Sequence, residues 1–280
     1  MPQISVITIN YNNRDGLRKT IESVVNQTWH GFEYIIIDGG STDGSIDVIK
    51  QYSDRIDYWV SEPDKGIYNA MNKGIDVAKG EYCIFLNSGD YFLNKSVLQE
   101  CSAYLGEVDI VSGCVKLSSG DVWPVHKSIT LNLFYEGHSL NHPASFIKRY
   151  LLQKYHYDER LRIVADWKFF IQTLIIDNSG LLSMDVIVAV FDTNGISSSN
   201  FLQIKRERAM VLEEMFPDRL IEDYNKNHLY DFRKLFFQIE KHRMHTLIYV
   251  SVFLIFRLLN LFTGRAKWIR EFGFKEKYKL

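Results

Sequence analysis

The chain has 280 residues, 46% hydrophobic and 24% charged, which is enough for one large domain with a sizeable core and an appendage. Its net charge of −1 is unevenly spread: residues 241–280 hold nine Lys/Arg against two Asp/Glu, a balance of +7, leaving −8 on the first 240. An acidic body argues against a nucleic-acid binder, and three cysteines (Cys83, Cys101, Cys114) with no CxxC spacing argue against a disulfide framework.

The chain opens with "ISVITI" (4–9), a β-branched apolar run that predicts a buried strand ended by the turn-forming "NYNNRDG". Leu17, Ile21, Val24 and Val25 then recur at helical spacing. "YIIID" (34–38) is the next strand. Ser45 is placed to cap a short helix carrying Ile46, Val48 and Ile49. "IDYWV" (56–60) predicts a third strand. Ile67, Met71, Ile75 and Ala78 predict a further helix closed by Gly80, and "YCIFLN" (82–87) a fourth strand. This alternation implies β-α-β units and a mostly parallel sheet covered on both faces. Ligands of such sheets bind beyond the carboxyl ends of the strands, and those ends here carry "NYN", "DGGSTDG" and "NSGD".

Beyond Asp90 the alternation weakens. "DIVSGCV" and "DVIVAVF" read as strands, with a helix beginning near Asp166 between them. "NFLQIKRERAMVLEEMF" (200–216) reads as a helix stopped by Pro217.

Asp38 and Asp90 each stand just past an apolar strand. A carboxylate there accepts hydrogen bonds from a base or sugar, or binds a hard cation such as Mg²⁺ or Mn²⁺; an ordinary Asp/Gly/Ser turn is the competing reading. No G-x-G-x-x-G and no P-loop is present.

Four stretches in order, "SVITINYNN", "QTWHGFEYIIIDGGSTDGS", "SEPDKGIYNAMNKGIDVAKGEYCIFLNSGDYF" and "RIVADWKFF", make the chain resemble the family-2 glycosyltransferases of GT-A fold. The resemblance is close over about the first hundred residues and looser to about Ser199. It implies an α/β catalytic domain over 1–199, with a donor half to about 115 and an acceptor half after it. A helical extension over 200–240 and a basic tail over 241–280 would follow. Asp38 matches the aspartate that binds the donor's base, Tyr11 a donor-side residue, and Asp64 a residue of the turn bordering the donor pocket. Asp90 matches the last residue of the motif holding a divalent ion, Mn²⁺ or Mg²⁺, on the diphosphate. Asn87 and Gly89 depart from that pattern, standing where many members have aspartates. Met71 replaces a common arginine, with Lys65 and Lys73 as open alternatives. Asp166 matches the general base, an N-cap reading standing beside it. Trp167 would wall the sugar and His142 line the acceptor site. The loop "FDTNGISS" (191–198) resembles the Gly-rich loop after the domain's last strand.

The implied activity is inverting transfer of a sugar from a nucleotide donor, a UDP-sugar first, to a hydroxyl of a saccharide or lipid-linked acceptor. A phosphatase-like hydrolase is disfavoured because Gly40 stands where its second aspartate belongs; a non-catalytic sugar-binding module is the other rival. No Q-x-x-R-W motif occurs, which argues against a processive synthase. Residues 246–262 are short for a span and carry Arg257, so an in-plane helix at an anionic membrane surface is expected, with docking on the domain or a second copy as the alternative. With no signal peptide at its start, the chain is expected to be cytoplasmic, peripheral to the membrane at most.

Overall fold

A computed structural model describes residues 2–193 and 200–226. Expectations for residues 194–199, including most of the Gly-rich loop, and for the tail over 241–280 lie outside them. The described residues divide into one compact unit ending at Pro217 and a second beginning at Asp218.

The first unit is built on a nine-stranded sheet ordered β3-β2-β1-β4-β8-β6-β9-β5, with β7 (Val122–Trp123) beside β6. β1 (Ile4–Asn10), β2 (Phe32–Asp38), β3 (Tyr58–Ser61) and β4 (Tyr82–Phe85) run parallel. All seven residues of β1 are buried, as its unbroken apolar run requires for a central strand covered on both faces. α1 (Arg14–Val25) buries the four residues of its predicted stripe, and Asn13 caps it by accepting from the Gly16 N–H at 3.2 Å. α2 (Ser45–Gln51) and α3 (Ile67–Val77) complete the alternation.

Two local expectations change. Ser45 is the first residue of α2 and not its cap; Gly44 (φ +92°) holds the cap position, and Asp43 Oδ1 accepts from the Ser45 N–H at 3.0 Å. Gly80 does not close α3, which ends at Ala78 in extended backbone. Gly80 is small because it lies against β1: a Cβ there would meet Ser5 N at 2.5 Å.

The second half of the sheet is mixed. β8 (Ser145–Lys148) runs antiparallel to both β4 and β6 (Ile110–Leu117), β9 (Leu181–Phe191) runs parallel to β6, and β5 (Tyr91–Phe92) closes the edge antiparallel to β9. α4 (Val97–Ser102), α5 (Leu131–Tyr135), α6 (Arg149–Tyr155) and α7 (Ala165–Phe170) lie between these strands in sequence. α7 runs on into a π-helical stretch, Ile171–Ile176. α8 (Phe201–Met215), the start of the expected helical extension, lies within the first unit, where it buries Glu207 and Val211. α9 (Asp218–Lys226) is the described part of the second unit. All three cysteines are free and buried. No helix among the described residues is long and apolar enough to cross a membrane.

Candidate active site

Parallel register brings the strand ends level. Asn10 pairs with Asp38 and Asp38 with Ser61, so three polar residues line one lip of the sheet. Asp38 is fully buried and its carboxylate is saturated from within. Oδ1 accepts from Asn10 Nδ2 (2.7 Å) and Ser41 Oγ (2.6 Å). Oδ2 accepts from Ser61 Oγ (2.5 Å), Ser41 N (2.9 Å) and Gly40 N (3.2 Å). Burial pushes its pKa up, but the bonds from Ser41, Ser61 and Asn10 together outweigh that and hold it below the ordinary carboxylate value. Asp38 therefore shapes the lip, with both of its oxygens already engaged.

The open groups at this lip are Tyr11 and Asp64. Tyr11 is 65% exposed. Gly39 makes room for both: a Cβ there would lie 2.3 Å from Asp64 Oδ2 and 3.2 Å from the Tyr11 ring. Asp64 Oδ1 accepts from the Gly66 N–H at 2.9 Å, which fixes the carboxylate and leaves Oδ2 turned to the Gly39 backbone. Met71 is buried in the core, and Lys73 is committed to Glu62 at 2.7 Å, so of the two lysines weighed beside Met71 only Lys65 has no ion pair among the described residues.

A second lip lies at the end of β4. Asn13 Nδ2 donates to Ser88 O at 2.9 Å, while the Asn12 N–H donates to Ser41 Oγ at 2.8 Å, so the turn after β1 touches both lips. Asp90 is 5% exposed and its Oδ1 accepts from the Asp192 N–H at 2.9 Å. Burial pushes its pKa up to about 7, against the help of that N–H, and the Asp192 charge adds to the rise. Asp192 comes from just past β9, and its carboxylate sits where a side chain on Gly89 (φ +107°) would intrude, 3.0 Å from that Cβ position. Asn87, in the same turn as Asp90, has a buried Oδ1 with no hydrogen-bond partner. These are hard oxygen donors suited to a divalent cation whose remaining ligands come from phosphates. No group of three or more His, Cys, Asp or Glu side chains placed to hold a metal ion occurs among the described residues.

Asp166, expected on the acceptor side, is at the start of α7. It is not the N-cap, a position held by Val164. Tyr68, from α3, places its hydroxyl 3.1 Å from Asp166 Oδ1 and 2.6 Å from Ile163 O. Sequence reasoning missed Tyr68, although its place beside the apolar stripe of α3 marks it as inward-facing. It also missed Glu207, a buried carboxylate on α8. Glu207 accepts from the N–H groups of Arg162 (2.9 Å), Ile163 (3.0 Å) and Val164 (3.2 Å), pinning the segment that leads to Asp166. Lys168 braces the same helices, donating to Asp158 and Glu214 at 2.8 Å each.

The two acceptor-side residues are more enclosed than expected. Trp167 is only 2% exposed: its indole packs edge-on to Phe134 and donates to His138 O at 3.0 Å. It underlies the site and offers no open face to a sugar. His142 stacks on Phe85 (5.2 Å between centroids) and its Nε2 lies 2.9 Å from the Tyr157 hydroxyl. Burial lowers its pKa, partly offset by the Asp166 charge. A surface cavity lined by His30, Glu33, Asp57 and Lys79 lies at the opposite ends of β2 and β3, away from every group above.

The sequence pattern described as "Glycosyl transferase family 2" matches residues 5–164, more than half the chain. The chain belongs to that family. This family-2 glycosyltransferase is 34% identical over 205 residues to an uncharacterized glycosyltransferase of Mycobacterium tuberculosis, covering 70% of this chain and 78% of the relative. It is 30% identical over 230 residues to a PGL/p-HBAD biosynthesis glycosyltransferase of Mycobacterium bovis, covering 79% and 88%. Among solved structures it is similar to Staphylococcus aureus TarS 1-349 in complex with UDP-GlcNAc, with a TM-score of 0.63, 21% identity, and coverage of 80% of this chain and 70% of that one. That likeness places the family-2 chain in the GT-A α/β fold.

Proposed function

We propose that this glycosyltransferase is an inverting, metal-dependent hexosyltransferase. It moves a sugar from a nucleotide-diphosphate donor, a UDP-sugar first, to a hydroxyl of a saccharide or lipid-linked acceptor in cell-surface polysaccharide or glycoconjugate synthesis. The observation that carries the reading is the second lip, where the buried Asp90 carboxylate meets Asp192 in a turn that also holds the unpartnered Asn87 oxygen. Two carboxylates so close, one of them buried, favour a cation. Asp90, Asp192 and Asn87 would hold it, and when bound it would neutralise charge developing on the diphosphate leaving group.

At the first lip, Tyr11 offers its ring to the base. Because every Asp38 oxygen is engaged, Asp64 Oδ2 is the carboxylate oxygen that meets a base N–H. Uracil, thymine and guanine each carry an imino N–H for it; adenine does not. On the other side, Asp166 takes the proton of the attacking hydroxyl as the new bond to the anomeric carbon forms and the bond to the diphosphate oxygen breaks. Tyr68 fixes the carboxylate's orientation, and His142 and Trp167 support it from behind.

The test is calorimetry of UDP-, GDP- and dTDP-sugars with and without Mn²⁺, followed by transfer assays of Asp166→Asn. Metal-dependent binding of one donor is expected, with D166N keeping that affinity while losing transfer about 10²-fold or more. If no nucleotide sugar binds, or if D166N transfers at the unaltered rate, the reading fails.

A further inference from the structure

The acceptor side carries a group of basic side chains that the reaction above leaves unused. Arg208 on α8 lays its guanidinium over the Trp167 ring, with Cζ 5.4 Å from the centroid. Its Nε is sealed from solvent and has no hydrogen-bond partner. Among the described residues no carboxylate forms an ion pair with it, although Asp166 is near enough for its charge to be felt. Nη1 reaches over Gly137, where a Cβ would lie only 2.5 Å away. The next residue, His138, has its ring 5.6 Å from that of His126. Neither imidazole is paired with a carboxylate among the described residues, and burial, reinforced by the His138 charge, lowers the pKa of His126.

A half-buried guanidinium with a sealed, unpartnered donor is unfavourable in isolation, because its lost hydration is not replaced. Planar guanidinium donors match phosphoryl oxygens, and an anion arriving at the Nη groups supplies the counter-charge that the described residues do not. We propose that Arg208, with His138 and His126 adjoining, forms a phosphoryl-binding subsite on the acceptor side of Asp166. The assignment rests on the reading of Asp166 as the acceptor-side base. The phosphoryl group has two sources of the same chemistry: a phosphate or diphosphate carried by the acceptor, or the diphosphate of the donor.

The experiment uses the full-length chain and its Arg208→Gln, Arg208→Lys and His138→Gln variants. Inorganic pyrophosphate is titrated into metal-free protein, and UDP into protein with Mn²⁺. Pyrophosphate is expected to bind the unaltered chain and R208K, and to bind R208Q about tenfold more weakly or worse, roughly 1.4 kcal/mol. Unchanged UDP affinity in R208Q assigns the subsite to the acceptor's phosphate; a parallel fall assigns it to the donor's diphosphate. Equal pyrophosphate affinity in the unaltered chain and R208Q, or no binding to the unaltered chain, overturns the proposal. If R208Q does not fold, H138Q decides: weaker pyrophosphate binding supports the subsite and unchanged binding overturns it. D166N separates this proposal from the one beneath it, since a failed base shows as unimpaired transfer and leaves pyrophosphate binding untouched.

Discussion

Asp38 and Asp90 hold equivalent places, each at the carboxyl end of a parallel strand and each buried, yet their surroundings are opposite. Asp38 accepts five hydrogen bonds from Asn10, Gly40, Ser41 and Ser61, and its pKa falls. Asp90 has one backbone N–H and a neighbouring carboxylate, and its pKa rises to about 7. A carboxylate whose lone pairs are all used is architecture. One left short of donors beside a like charge is poised for a cation.

That contrast can be broken by mutation. Asp90→Ala should weaken Mn²⁺-dependent donor binding by about tenfold or more while the fold persists, because only the Asp192 carboxylate then stands with the neutral oxygens of Asn87 and the turn around it. Calorimetry with and without Mn²⁺ checks this, and undiminished metal dependence would remove Asp90 from the cation site. Asp38→Ala should do the reverse and act on stability. It strands the donors of Asn10, Ser41 and Ser61, each costing about 1–3 kcal/mol when buried and unpaired. Its melting temperature should fall well below that of D90A.

Glu207→Gln sharpens the comparison from a third position. An amide keeps one acceptor oxygen but sets an N–H against the backbone donors of residues 162–164. Transfer should fall about tenfold or more while donor affinity holds, and Glu207→Asp should recover part of it. Equal losses in kcat and in donor binding would mark Glu207 as a general support of the fold. Asp64→Asn should weaken donor binding by about tenfold, the scale of a lost charge-assisted hydrogen bond. Unaltered affinity would return the base contact to another residue.

The smallest effect concerns pH. Asp90 is raised from 3.8 to about 7 on folding, so its contribution to stability is complete below pH 3.8 and is lost as pH rises through about 7. Asp38 is lowered, so its contribution is present above its unfolded value and lost as pH falls through the folded one. Metal-free protein should thus lose stability between about pH 4 and 7 relative to Asp90→Asn, and thermal melts of both across that window measure the difference. A parallel course for the two proteins would contradict the raised pKa.

The first hundred residues were largely legible in the sequence because their elements are local. β1, α1, β2 and α3 announce themselves by period, and Asp38 and Asp90 by standing where apolar runs end. Legibility failed where the neighbour is remote in the chain. Nothing near Asp166 announces that Glu207 and Arg208 arrive from α8, or that Tyr68 crosses from the other half. Asp192 reaches Asp90 only because β9 returns beside β5. The same limit explains Trp167 and Asp38: residue type suggested an exposed indole and an open carboxylate, whereas burial and saturation are properties of three-dimensional packing. Gly80 was placed by helix-ending chemistry, but close approach to Ser5 is what demands it.

The pairing of Tyr91 with Val190 has a further meaning for how the protein is made. A chain emerging from the ribosome can join β1 to β2 and β4 early, since those partners lie within about 80 residues of one another. Among the described residues β5 pairs only with β9, about a hundred positions later, so the turn holding Asp90 stays unclosed until β9 has been synthesised. Cation binding is therefore expected to be among the last properties the nascent chain acquires. A chain released before residue 190 would carry the Asp38 lip complete and the Asp90 lip without Asp192.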